Sequence, residues 1–284
     1  MLLPIYKSYH KQLEPFTTKI IKWIDLKITS GSYNYGRSHG LVAGISGAML
    51  LSACFAKVSS SQEWQDIAFK LFNLLTIKCK KLPDGTIVYE NNQDLSLGKH
   101  RGLSGLAHGQ AGIAYCFSVF ATIFPEMRDI CLYYISGILR YEYDCFDRPT
   151  LNWPDLRVRP RQALDSHDFS WAYGGAGVYL ALDYISSIYS VSEVISCMDL
   201  SYDAFALNLN DLTTRSGSIA NGEVGARLIR SRIFKESMTL GKGLSNKYCG
   251  FVSGCGLLNG LSGYYLAHSH SQEFPLLPHE LLVI

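Results

Sequence analysis

A four-residue core, G-x-x-G, recurs five times in this chain of 284 residues, each time ahead of an apolar run. The segments are GLVAGISGAML from Gly40, GLAHGQAGIAY from Gly105, SWAYGGAGVYL from Ser170, SIANGEVGARL from Ser218 and GLLNGLSGYYL from Gly256. Their glycine pairs are Gly44/Gly47, Gly109/Gly112, Gly174/Gly177, Gly222/Gly225 and Gly260/Gly263, and successive first glycines lie 65, 65, 48 and 38 residues apart. Repetition at this scale is the mark of one supersecondary unit stacked on copies of itself.

The segments between the cores show what the unit is. SQEWQDIAFKLFNLLTIKCKKL places Trp64, Ile67, Ala68, Leu71 and Leu75 at helical steps, with Lys, Gln and Asp opposite. PEMRDICLYYISGILRYEYD opens on Pro125, which a first turn tolerates, and predicts Met127, Ile130, Cys131, Tyr134 and Ile138 on one face. Ser190 and Glu193 have the spacing of a capping box ahead of VISCMDLSYDAFAL. Strand signals are few; TIVYE after the PDG turn is the clearest. The unit is therefore a pair of helices, one amphipathic and one begun by G-x-x-G. Glycines three apart clear one helix face for another backbone, and a glycine-rich start leaves N–H groups open. These features predict an all-α fold, an α/α toroid of inner and outer helices, with the glycine-rich starts gathered on one rim. A plain helical bundle or solenoid with small residues at tight crossings is the less specific alternative. Residues 1–284 are expected to form one domain, with 1–35 as a helical extension or partial repeat.

Bulk properties narrow the function. A hydrophobic content of 48% supports a large core, and a net charge of +2 argues against broad nucleic-acid binding. The opening MLLPIYKSYHKQLEP lacks the apolar length of an export signal, and the apolar run 113–124 is too short to span a bilayer. Eight cysteines stand singly without a C-x-x-C pair, which reads as reduced, mostly buried thiols and a cytoplasmic protein.

With the five segments and the NWPD stretch at Asn152–Asp155 assembled, the chain resembles the lanthionine synthetase C-like family of peptide cyclases, from about Gly40 to His268. The resemblance implies a seven-fold α/α toroid with a rim zinc; five repeats are visible here. It also implies addition of a cysteine thiol to a dehydrated serine or threonine, giving a thioether ring. The family's zinc ligands are the cysteine of W-C-Y-G and the cysteine and histidine of C-H-G. Those positions are occupied here by Ala172, Ala220 and Asn221. Alanine has no donor atom, and an amide oxygen is a poor substitute for thiolate or imidazole on zinc. The family's acid–base aspartate falls on Gly40, while the histidine of G-x-A-H-G is kept as His108. Cys249, Cys255, His39, His268 and His270 do not have zinc-ligand spacing. No metal and no other cofactor is expected.

Loss of the metal does not by itself end the chemistry. A thiol of ordinary pKa is a few per cent ionised at neutral pH, so full ionisation adds ~30-fold, or about 2 kcal/mol. Good positioning supplies more than that. The resemblance extends to cyclase domains fused to kinase and lyase domains, which also lack the ligands. His108 is the candidate catalytic residue, as base for the thiol or acid for the enolate; the alternative is a structural bond to a rim carbonyl. Trp171 and Tyr173 are candidates to line a peptide-binding bowl, with core packing as the alternative. Asn221 and the basic loop residues Arg157 and Arg159 are candidates to bind a precursor peptide, with a solvated loop as the alternative. Glu223 is the lone acid inside a glycine motif, which sets aside a two-carboxylate glycosidase. Two functions remain: a zinc-free peptide cyclase, or an inactive relative that binds the precursor or supports a partner such as a dehydratase or another modifying enzyme.

Overall fold

The computed structural model describes residues 2–31, 39–42, 44–90, 102–156, 169–208, 219–220, 223–234 and 277. Among them are eight α-helices: α1 (Leu2–Thr29), α2 (Ile45–Ser59), α3 (Gln62–Lys78), α4 (Gln110–Ile123), α5 (Arg128–Asp144), α6 (Gly175–Ser186), α7 (Ser192–Asn208) and α8 (Glu223–Phe234). The fifth glycine segment, from Gly256, lies outside the described residues, as do Cys249, Cys255, His268 and His270.

Helices pair as the sequence suggests, α2 with α3, α4 with α5 and α6 with α7. The first member of each pair then packs on the first member of the next: α2 on α4, α4 on α6, α6 on α8. The second members form another layer, with α1 beside α3 and α5 beside α7. This is the inner and outer helix order of an α/α toroid. Composition drives the division. Every residue from Gln110 to Ala121 of α4 is buried, and so is α6 from Gly175 to Leu182. A helix apolar on all sides is covered on all sides. The outer α3 buries one stripe, Trp64, Ile67, Ala68, Leu71, Phe72 and Leu75, as its periodicity predicts. Ser61 caps its start, accepting the Trp64 N–H at 3.4 Å.

Two local expectations change. Pro125–Met127 forms a separate 3₁₀ turn and α5 begins at Arg128. Of the predicted face, Cys131, Tyr134 and Ile138 are buried while Ile130 is 43% exposed, and Ile135 and Leu139 complete the buried stripe. Helix α7 begins at Ser192, and Glu193 does not serve a capping box with Ser190. Its Oε1 instead accepts from Arg140 Nε (3.1 Å) and Nη2 (2.9 Å) on α5.

The TIVYE strand is short. Ile87–Val88 (β2) pairs antiparallel with Lys80–Lys81 (β1), in register Lys80 with Val88 and Lys81 with Ile87. Gly85 holds φ at +83°, as the turn requires, and Asp84 Oδ1 accepts the Thr86 N–H at 2.9 Å. The hairpin packs β2 onto α5. None of the six described cysteines is in a disulfide; Cys54, Cys116, Cys131, Cys145 and Cys197 are buried and Cys79 is half-buried. Burial pushes the thiols of Cys54 and Cys131 up to about 12. No described helix is long and apolar enough to cross a membrane.

Candidate functional site

The four glycine cores among the described residues assemble at one rim, and they do so through the backbone. In each of the first three, the residue two before the first glycine bonds to its counterpart in the next. The Val42 N–H donates to the Ala107 carbonyl (2.9 Å), Ala107 N–H to the Ala172 carbonyl (3.1 Å), and Ala172 N–H to the Ala220 carbonyl (2.8 Å). Four loops are thus linked edge to edge, one hydrogen bond per step, around the ends of α2, α4, α6 and α8.

The roles of the two glycines differ. The first is the N-cap: Gly44 and Gly109 are extended, whereas Gly174 has φ +76° and needs glycine. The second faces its own incoming loop. A methyl at Gly47, Gly112, Gly177 or Gly225 would overlap the carbonyl oxygen six residues upstream, at Leu41, Leu106, Trp171 or Ile219. The backbone admitted by these glycines is therefore each core's own loop, folded over the first helical turn. Nor are the N–H groups open, as the sequence suggested. Gly112 N–H donates to Gly105 carbonyl (3.2 Å), Gly177 N–H to Ser170 carbonyl (3.1 Å), and Ser46 N–H to His39 carbonyl (3.2 Å). The N-caps of α2, α4 and α6 are glycines without a side chain to cap with, and these N–H groups are met by loop carbonyls instead.

His108 and Tyr173 hold the same place in neighbouring cores, just before the first glycine. Their rings stack with centroids 6.0 Å apart and planes 25° from parallel. His108 is half-buried. Tyr173 and Trp171 are only 6% and 3% exposed. Gly40 lies against the His108 main chain, its missing Cβ 2.6 Å from the His108 Cα, so this backbone has no room for a side chain where the family aspartate falls. Asn221, Arg157 and Arg159 lie outside the described residues.

Ala172 and Ala220 are buried neighbours joined by their main chains, and each offers only a methyl. Neither supplies the thiolate, imidazole or carboxylate that zinc takes. Among the described residues no group of three or more His, Cys, Asp or Glu is placed to hold a metal ion.

A polar scaffold beneath the rim was not anticipated from the residues. Glu142 of α5 is fully buried; its Oε1 accepts the Ser104 hydroxyl (2.6 Å) and the Gly105 N–H (3.0 Å), tying down the loop that carries His108. Burial pushes its carboxyl up to about 7 against the pull of those two bonds. Helical periodicity could have found it, since it follows Cys131, Ile135 and Ile138 on the inward face. Asn152 of NWPD plays the matching role for α6: its Oδ1 accepts the Gly175 N–H (2.7 Å) and the Trp153 N–H (2.9 Å). Trp153 Nε1 donates to the Glu142 carbonyl (2.8 Å), joining the two supports. Gln110 clamps Tyr89 with a bond in each direction, 3.1 and 3.0 Å.

Among solved structures, nisin cyclase has this fold, with a TM-score of 0.64 at 19% identity over 97% of this chain and 74% of its own. Residues 89–224 match the family described as Lanthionine synthetase C-like protein. That segment, just under half of the chain, spans the second and third glycine cores and reaches the fourth. No curated protein matches it.

Proposed function

We propose that this protein handles a dehydrated precursor peptide for thioether ring formation, and does so without zinc. The observation that carries the reading is the pair Ala172 and Ala220, bonded to each other at the rim where the resemblance puts zinc-ligand cysteines. His108 stands one core away, stacked on Tyr173. In this reading the neutral His108 imidazole takes the thiol proton as the C–S bond forms at the alkene's β-carbon. The π electrons move to the α-carbon side as an enolate, and the same proton is returned to the α-carbon, so no external acid or base is consumed. Tyr173 fixes the imidazole plane. Asn221, Arg157 and Arg159 are proposed to hold the peptide, and Trp171 to support its bowl from within the core. The whole chain acts as one cytoplasmic domain, with a dehydratase or another modifying enzyme as its partner.

A second reading has a specific observation behind it: Gly40 leaves no space for an aspartate beside His108. With acid and metal both gone, the protein would bind the precursor and support a partner enzyme without catalysing ring closure. One experiment separates the two. Purified protein is incubated with a dehydrated, cysteine-containing precursor, and free thiols are counted by alkylation and mass spectrometry. Thiol loss that persists in chelator and disappears in His108→Ala supports the cyclase. Retained thiols with peptide binding support the inactive relative. Absence of both binding and thiol loss would refute a role in peptide handling.

A further inference from the structure

The outward face of α1 is unlike any other surface described. Its inward side is conventional: Thr17 and Ile24 are buried, and Ile21 and Ile28 pack on the core. The opposite side carries Phe16, Ile20, Trp23 and Leu26, at steps of four, three and three, with exposures of 62%, 39%, 56% and 63%. A single exposed apolar residue needs no explanation, but a stripe at helical spacing does. Lys19, Lys22 and Lys27 interleave with it, and Lys27 Nζ lies 5.7 Å over the Trp23 ring. The lone acid in residues 15–31, Asp25, stands toward the flank and is paired with Lys70 at 2.7 Å. Helix α1 lies in the outer layer beside α3.

We propose that this face of α1 docks the protein on an anionic phospholipid surface. An aromatic and aliphatic stripe about 15 Å long, from Phe16 to Leu26, suits the boundary between headgroups and acyl chains, and the lysines suit the phosphates. Charge complementarity selects an anionic surface over a neutral one. The face is the convex side of one helix. A bilayer interface needs no groove to accept it, whereas a peptide needs pockets that offset its ordering cost. The glycine rim is built at the ends of the inner helices, so docking through an outer helix leaves it unobstructed.

The chain reports on this itself. Of its four tryptophans, Trp64, Trp153 and Trp171 are buried, and Trp23 alone is exposed. Vesicles of phosphatidylcholine, with and without one-third phosphatidylglycerol by the ordinary recipe, are titrated into the full chain. The expected result is a blue shift and quenching by brominated acyl chains with the anionic vesicles alone, weakened in 1 M salt. Replacing all three lysines (Lys19→Gln, Lys22→Gln, Lys27→Gln) should lower partitioning on the order of 100-fold, while Lys57→Gln, an exposed lysine of α2, leaves it unchanged. Trp23→Phe should abolish the signal but keep co-sedimentation with vesicles. Equal binding to neutral vesicles, or binding to neither, overturns the proposal. So does self-association or capture of an acidic peptide that Trp23→Ala abolishes while vesicles do not bind. None of these readouts depends on ring formation, so the outcome is independent of the proposed function.

Discussion

Glu142 makes the protein's stability fall as pH rises through neutrality. Its carboxyl titrates near 4.5 when the chain is unfolded and about 7 when folded, because burial penalises the charge. The folded state therefore binds more protons between those values. Stability from this group is fully present below pH 4.5, declines through the interval and is flat above about 7. At about 1.4 kcal/mol per pH unit, the full difference is ~3 kcal/mol, of which about 2.5 kcal/mol falls between pH 5 and pH 8. Glu142→Gln keeps the Oε1 acceptor for Ser104 and Gly105 but cannot ionise. Burial also pushes up the nearby Cys197 thiol and Tyr141 phenol, which stay protonated across this range. Urea unfolding of both proteins at pH 5, 6, 7 and 8 isolates the carboxyl, since every other group is shared. The wild type should lose about 2.5 kcal/mol relative to Glu142→Gln, a midpoint difference of about 0.8 M for a slope of about 3 kcal/mol per M. Parallel pH profiles would refute the reasoning. They would mean that the carboxylate is stabilised in place and that the His108 loop is held by a permanent charge.

Other substitutions test the rim. Gly112→Ala should cost about 3 kcal/mol or more, because its methyl meets the Leu106 carbonyl and backbone must move; thermal unfolding of the variant checks this. Asn152→Ala strands the buried N–H groups of Gly175 and Trp153, and should cost about 2–4 kcal/mol in the same assay. Burial, with Lys78 nearby, holds His39 down to about 4 against an ordinary value of 6.5. Its folded form thus resists protonation, and stability should fall as pH drops from 6.5 toward 4; His39→Gln should flatten that acid limb in urea titrations.

The spacing of the glycines was enough to locate the inner helices, because each start is local: cap, first turn, apolar run. The amphipathic stripe of α3 was equally legible. Less legible was why the second glycine is needed. The carbonyl it admits comes from a loop that reverses over the helix, and that path is set by hydrogen bonds between cores. The start of α5 was placed three residues early, because Pro125 starts a separate 3₁₀ turn rather than the helix. Glu193 looked like a cap, and a long-range arginine claimed it. Glu142 is a glutamate among tyrosines, and its partners Ser104 and Gly105 are remote in sequence. The candidate site divides in the same way. Ala172, Ala220 and His108 could be placed by counting residues to a glycine. The closeness of Gly40 to the His108 backbone could not.

Zinc content of the purified protein tests the central claim most directly. After incubation with equimolar zinc and dialysis, plasma mass spectrometry should find less than about one-tenth of an ion per chain, against the roughly one that a three-ligand rim site would retain. Installing Ala172→Cys, Ala220→Cys and Asn221→His together should bring the value to about one. Stoichiometric zinc bound tightly by the unaltered chain, and lost when His108 or a rim residue is replaced, would contradict the account.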